Sequence, residues 1–98
     1  MESVKKFEII TNSLEMNRVL ELLEKLGISG YSAIKDVTGF GPRGRVNDDL
    51  ANGAFSNDYV LFVCTAEKEH QVVEALRPIL KKYGGICLVS DAKWIVHW

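Results

Sequence analysis

Apolar and polar positions follow two rhythms along this chain, one of period two and one of period three to four. Residues 7–11, FEIIT, combine an aromatic with β-branched residues in partial alternation and predict a strand. Asn12 and Ser13 then offer helix N-caps, with Glu15 three positions after Asn12 in a loose capping box. Met16, Val19, Leu20, Leu23 and Leu26 recur at helical spacing, and Glu15, Arg18, Glu21, Glu24 and Lys25 fill the other face, so a helix is predicted up to Gly27. GYSAIKDV, residues 30–37, predicts a second and less apolar strand. YVLFVC, residues 59–64, is apolar throughout and predicts a strand buried on both faces. Thr65 stands as the cap of a second helix, with Glu67 near its positive end. Val72, Val73, Leu76, Ile79, Leu80 and Tyr83 form its stripe, and Pro78 inside it predicts a kink or irregular turn. Gly84-Gly85 ends the helix, and ICLV, residues 86–89, predicts a fourth strand with 91–98 as its candidate extension.

Strand-helix-strand, loop, strand-helix-strand is the βαββαβ order of the α+β ferredoxin-like fold, with a four-stranded antiparallel sheet and two helices on one face. A small parallel α/β sheet ranks second, because the middle loop carries no crossover helix. Two helices cover only one face of a sheet. Yet Tyr59, Leu61 and Val63 point one way and Val60, Phe62 and Cys64 the other. The second face therefore calls for a cover, and in so short a chain another copy is expected to supply it in a closed homo-oligomer. Trp94 and Trp98 are candidates for that interface or for core anchors.

Composition narrows the function classes. The 98 residues fit one domain, 1–98, and the 47% apolar content is that of a globular chain. A net charge of −1 gives no global pull toward nucleic acid or acidic membranes. No apolar run approaches the roughly 20 residues of a membrane span, and MESVKKFEII lacks the apolar core of a signal peptide, so a cytosolic location is expected. Cys64 and Cys87 lie in apolar runs without CxxC spacing, which predicts small buried hydrophobes and no zinc site. His70 falls in the charged stretch EKEHQ and His97 is penultimate, neither within a motif. Asp48-Asp49 in the loop and Asp91 at a strand end lack the fixed partner that acid/base work needs. No catalytic residue and no enzyme is indicated.

The segment 38–58, TGFGPRGRVNDDLANGAFSND, resists a helix or strand reading. Long loops in compact domains are functional or disordered. Gly39, Gly41 and Gly44 fall within six positions, beside Phe40, Arg43 and Arg45. Glycines let backbone N–H groups approach an anion, and arginine offers a fork matched to phosphate. No helix follows, so this is not a dinucleotide fingerprint. A second glycine pair, Gly84-Gly85, lies at the end of the other half, and the two would flank a shared cleft if copies pack side by side.

At these residues the chain resembles the PII signalling superfamily. GISGYS, residues 27–32, with VTGFGPRG, residues 37–44, is similar to that family's second strand and the start of its T-loop. VVEALRPILKKYGGICLVSDAKW, residues 72–94, resembles the PII-like branch associated with bicarbonate transport and carboxysomes. The resemblance implies a homotrimer with nucleotide-binding clefts between subunits. Ser32 would stand at the adenine ring, and Gly39, Phe40, Gly41, Arg43 and Arg45 at the phosphates. Gly84, Gly85 and Ile86 would form the opposing B-loop wall from a neighbouring subunit. Residues 38–58 would be the T-loop.

The departures from the classical pattern carry information too. YGGICLV replaces a longer B-loop with its glycines and lysine, which favours AMP or ADP over ATP. Pro42 and Arg43 stand where the family has the glutamine that helps hold Mg-ATP and 2-oxoglutarate. No tyrosine lies between Thr38 and Asp58, so the classical tyrosine modification is excluded.

The resemblance thus implies a non-enzymatic regulator that binds a small adenine nucleotide and acts through its T-loop on an inorganic-carbon-related partner, a bicarbonate transporter or carboxysome protein. Bicarbonate is a second candidate ligand, since arginine and backbone N–H groups suit a small anion. An acylphosphatase-like or nucleotide-hydrolysing enzyme on the same fold is the alternative, and it lacks a base. A nucleic-acid-binding domain of this fold lacks the basic charge.

Overall fold

The computed structural model describes residues 1–41, 44–46 and 56–96, with the backbone alone at 41 and 44–46. Strand β1, Glu2–Asn12, is more than twice the predicted length. Its first half, ESVKK, has little apolar signal and becomes strand because the last strand of the chain pairs along all of it and a second neighbour joins from Lys5. Helix α1, Ser13–Lys25, follows at once. Asn12 caps it, its side chain accepting from the Leu14 N–H at 2.7 Å. Gly27 ends it at φ +78°, with Gly27 N–H donating to Glu24 and Ile28 N–H to Leu23, each at 3.0 Å. That pair of bonds is a Schellman motif, which the left-handed glycine makes possible.

Strand β2, Ser32–Val37, begins two residues later than predicted. The short strands β3, Gly39–Gly41, and β4, Gly44–Val46, pair with each other as a ribbon at the start of the long loop. This corrects the expectation that 38–58 holds no regular structure: local glycine-rich pairing needs no apolar alternation to form. Strand β5, Asn57–Cys64, extends two residues before the predicted start. Thr65 is not the cap of the second helix, since it makes no side-chain capping bond and precedes a 3-10 turn, Ala66–Lys68. Helix α2, Glu69–Tyr83, then runs through Pro78. Pro78 and Glu74, the residue whose carbonyl loses its helical donor, are both exposed, so solvent can serve that carbonyl. Strand β6, Ile86–Trp94, includes the first half of the candidate extension, residues 91–94.

The four long strands form an antiparallel sheet in the order β2-β5-β1-β6, the predicted ferredoxin-like arrangement. Phe7, Ile9, Val60, Phe62 and Cys64 face the helices and pack with Met16, Val19, Leu23, Val72 and Leu76 in one buried cluster. Phe7 and Phe62, directly opposite in the ladder, stack with ring centroids 4.8 Å apart. Burial along β5 alternates, with Val60 and Phe62 buried and Tyr59, Leu61 and Val63 half-buried. The expectation of two buried faces is therefore not met within one chain. The register groups the uncovered face into cross-strand rows: Ile34, Tyr59, Ile10 and Ile86, then Ser32, Leu61, Glu8 and Leu88. Ile34, Ile86 and Leu88 are each more than half exposed there.

Candidate site at the loop end of the sheet

The last residues of β1, the end of β2, the start of β5 and the start of β6 all gather at one end of the sheet. Gly39–Gly41 and the Gly84–Ile86 turn lie at this end, on opposite edges, while Ser32 stands at the far end of β2, in the row of Leu61, Glu8 and Leu88. Ser32 opens β2, the edge strand, with Leu61 as its cross-strand partner on the uncovered face. Gly39, Phe40 and Gly41 form β3 just beyond β2, and Phe40 pairs with Arg45 across the ribbon while its side chain is 84% exposed. Arg43 lies outside the described residues, as do Asp48, Asp49, His97 and Trp98. Gly84, Gly85 and Ile86 join α2 to β6, the other edge. Three strand spacings, about 14 Å, separate the two edges.

The glycine turn is built by close approach. Gly84 has φ +84° and Gly85 φ +134°. A Cβ on Gly85 would stand 2.7 Å from the Ile10 carbonyl oxygen and 3.0 Å from Thr11. Thr11, itself buried, donates its hydroxyl to the Gly84 carbonyl at 2.9 Å. The turn thus rests directly on the end of β1 with no side chain between.

The loop root is organised by residues that the sequence did not single out. Between Ile34 and Val37 the register slips by one residue, and Asp36 in this bulge has φ +60°, a conformation aspartate tolerates better than most. The buried Asp58 carboxylate accepts from the Asp36 N–H at 3.1 Å and from the Ser13 hydroxyl at 2.8 Å through the same oxygen. Ser13 N–H also donates to the Ser56 carbonyl at 2.9 Å. Buried polar groups need such partners, and a carboxylate beside the first turn of a helix meets its positive end. Single aspartates, serines and threonines in a sequence carry no signal of this convergence.

Electrostatics elsewhere is modest. On the uncovered face Tyr59 donates its hydroxyl to Glu8 at 2.9 Å. Partial burial, and then that bond, raises the phenol above its usual range. Burial also raises the thiols of Cys64 and Cys87, so both stay protonated at neutral pH. Cys64 is buried and Cys87 half-buried. Asp91 corrects an expectation: it lies within β6 and accepts from the Lys5 ammonium, because the β1–β6 register sets the two directly opposite. That contact raises the Lys5 pKa. His70 is exposed in the first turn of α2. A groove of about 400 Å³ beside Lys5, Asp91 and Lys93 lies at the other end of the sheet and shares no residue with either candidate group. Among the described residues no helix is long and apolar enough to cross a membrane.

The family model for the nitrogen regulatory protein P-II matches residues 4–96. No curated protein matches the sequence. Among solved structures, that of CPII, a nitrogen regulatory PII-like protein from Thiomonas intermedia K12, bound to ADP, AMP and bicarbonate, is similar with a TM-score of 0.86 at 22% identity, covering 94% of this chain and 88% of that one. The apo form of CPII gives a TM-score of 0.76 at 20% identity over 94% and 91% of the two chains. A DUF3240 family protein from Shewanella baltica OS155 gives 0.72 at 15% identity over 100% and 97%. At these identities the likeness establishes the fold.

Proposed function

Because the chain belongs to the nitrogen regulatory protein P-II family, we propose that it is a non-enzymatic cytoplasmic sensor that binds AMP or ADP in clefts between copies of itself. One observation carries the reading. The loop root with Gly39–Gly41 and the turn of Gly84, Gly85 and Ile86 share one end of the sheet but occupy its opposite edges, with Ser32 farther along the β2 edge in the row of Leu88. The β2 edge of one copy set beside the β6 edge of the next brings the two groups together, and a homotrimer closes the series. The exposed Ile34, Ile86 and Leu88 then turn inward against their counterparts.

In the cleft, Ser32 and the neighbouring uncovered face receive the adenine ring. The glycines of the ribbon and turn let backbone N–H groups approach phosphate, and Arg43 and Arg45 supply charge. The short glycine turn leaves AMP or ADP as the fitting ligands ahead of ATP. Bicarbonate is the second ligand, and the adenine nucleotides and bicarbonate carried by CPII support this choice. Occupancy selects one arrangement of residues 38–58, and that arrangement engages a partner in inorganic-carbon handling.

A thermal-shift screen tests the reading. AMP and ADP are expected to raise the unfolding midpoint at millimolar concentration, more than ATP does, with a further rise on adding bicarbonate. No shift with any adenine nucleotide, backed by calorimetry without heat, overturns it.

A further inference from the structure

Three consecutive residues where β1 passes into α1 stand between the glycine turn and the root of the long loop. Thr11 donates to the Gly84 carbonyl, Asn12 caps α1, and Ser13 donates to Asp58. Asp58 in turn holds the Asp36 N–H in the bulge that leads into the long loop. The Ser13 N–H binds the Ser56 carbonyl on the loop's return side. Both roots of the loop therefore converge on Ser13, and the glycine turn is two residues away. The connection is stiff in its construction. Thr11 is 1% and Asp58 7% exposed, the two are direct cross-strand partners, and β1, paired with β5 up to Asn12, passes directly into a capped helix.

We infer that Asp58 is a positioning residue, and that through Ser13, Asn12 and Thr11 it ties the root of the 38–58 loop to the Gly84–Gly85 turn of the same chain. Resting on the inter-copy reading above, these two walls of one chain belong to two different clefts. The tie then carries the setting of the loop root in one cleft to the glycine wall of the next. Asp58 needs no contact with a ligand for this, since it acts by holding the Asp36 amide and the Ser13 hydroxyl.

Amide hydrogen exchange on the ligand-free full chain tests the tie, using Asp58→Ala, Asp58→Asn and Thr11→Val. Asparagine keeps a carbonyl acceptor for both donors and alanine keeps none. Asp58→Ala is expected to speed exchange by about fivefold or more at Asp36, and also at Gly84, whose N–H donates to Leu80 at 2.8 Å, relative to core amides such as Phe7. Asp58→Asn stays near the parent. Thr11→Val speeds Gly84 and, across the tie, Asp36. If Asp58→Ala does not fold, Ser13→Ala removes one of the two donors and carries the same expectation. Substitutions that each disturb only their own side, an asparagine variant as perturbed as alanine, or a uniform rise at all amides overturns the tie. A parent chain that binds no AMP overturns the nucleotide reading, while the exchange result, obtained without ligand, still decides the tie.

Discussion

Gly85 and Gly30 show how differently one residue type is constrained. A Cβ on Gly85 collides with the Ile10 carbonyl at a φ that L-residues avoid, whereas a Cβ on Gly30 meets nothing within 4 Å. Gly85→Ala is expected to cost about 2 kcal/mol or more. Gly30→Ala should leave stability unchanged or raise it by about 0.5 kcal/mol. Urea unfolding of the two variants reads both values. Lys5 offers a pH test. Its hydrogen bond and ion pair with Asp91 hold its folded pKa above the ordinary lysine value. The contact therefore stabilises fully below the unfolded pKa, and the benefit is lost as pH rises through the folded one. Stability followed from about pH 9 to about pH 12 should fall less steeply in Lys5→Met than in the parent. The site is solvent-exposed, so the difference will be small.

At the level of elements, the stripe of α2 does more than its propensity. Val72 and Leu76 are buried against the sheet while Pro78 sits within the helix on its exposed side. Leu76→Ala is expected to destabilise by about 2–4 kcal/mol, because it removes a fully packed side chain from the cluster beneath Phe7 and Phe62. Pro78→Ala restores a backbone donor and should stabilise the chain, as thermal unfolding will show. Both helices were legible from apolar spacing, and so was the stop at Gly27. The helix start at Glu69 was not. Thr65 matches a cap residue in type, but the chain completes a 3-10 turn before α2 begins.

For the whole molecule, the uncovered sheet face makes the prediction. Leu88 is 58% exposed in one chain, so a charge there spares the fold while it blocks apolar packing between copies. Leu88→Lys is expected to leave the circular dichroism spectrum and helix content intact. In the same variant, sedimentation should show a shift to a monomer, and AMP affinity should fall at least about tenfold, since each cleft loses a wall. An assembly of unchanged size with full AMP affinity would contradict the inter-copy cleft.

Periodicity determined the types and order of the four sheet strands and the two helices, though not the β3–β4 ribbon or the 3-10 turn, because side-chain alternation and helical stripes are local consequences of burying one face. Glycine and arginine clustering marked Gly39–Gly41 and Gly84-Gly85, since few residue types permit close backbone approach. Tertiary structure decided the rest. That the two glycine groups lie on opposite edges of the sheet follows from the strand order, a matter of long-range pairing. The pairing of Lys5 with Asp91 depends on register across 86 positions of chain. The convergence of Thr11, Ser13, Asp36 and Asp58 depends on where three strands and a helix end in space. No local pattern records such endpoints, because each contact is between residues whose types are common and whose separation in the chain is large.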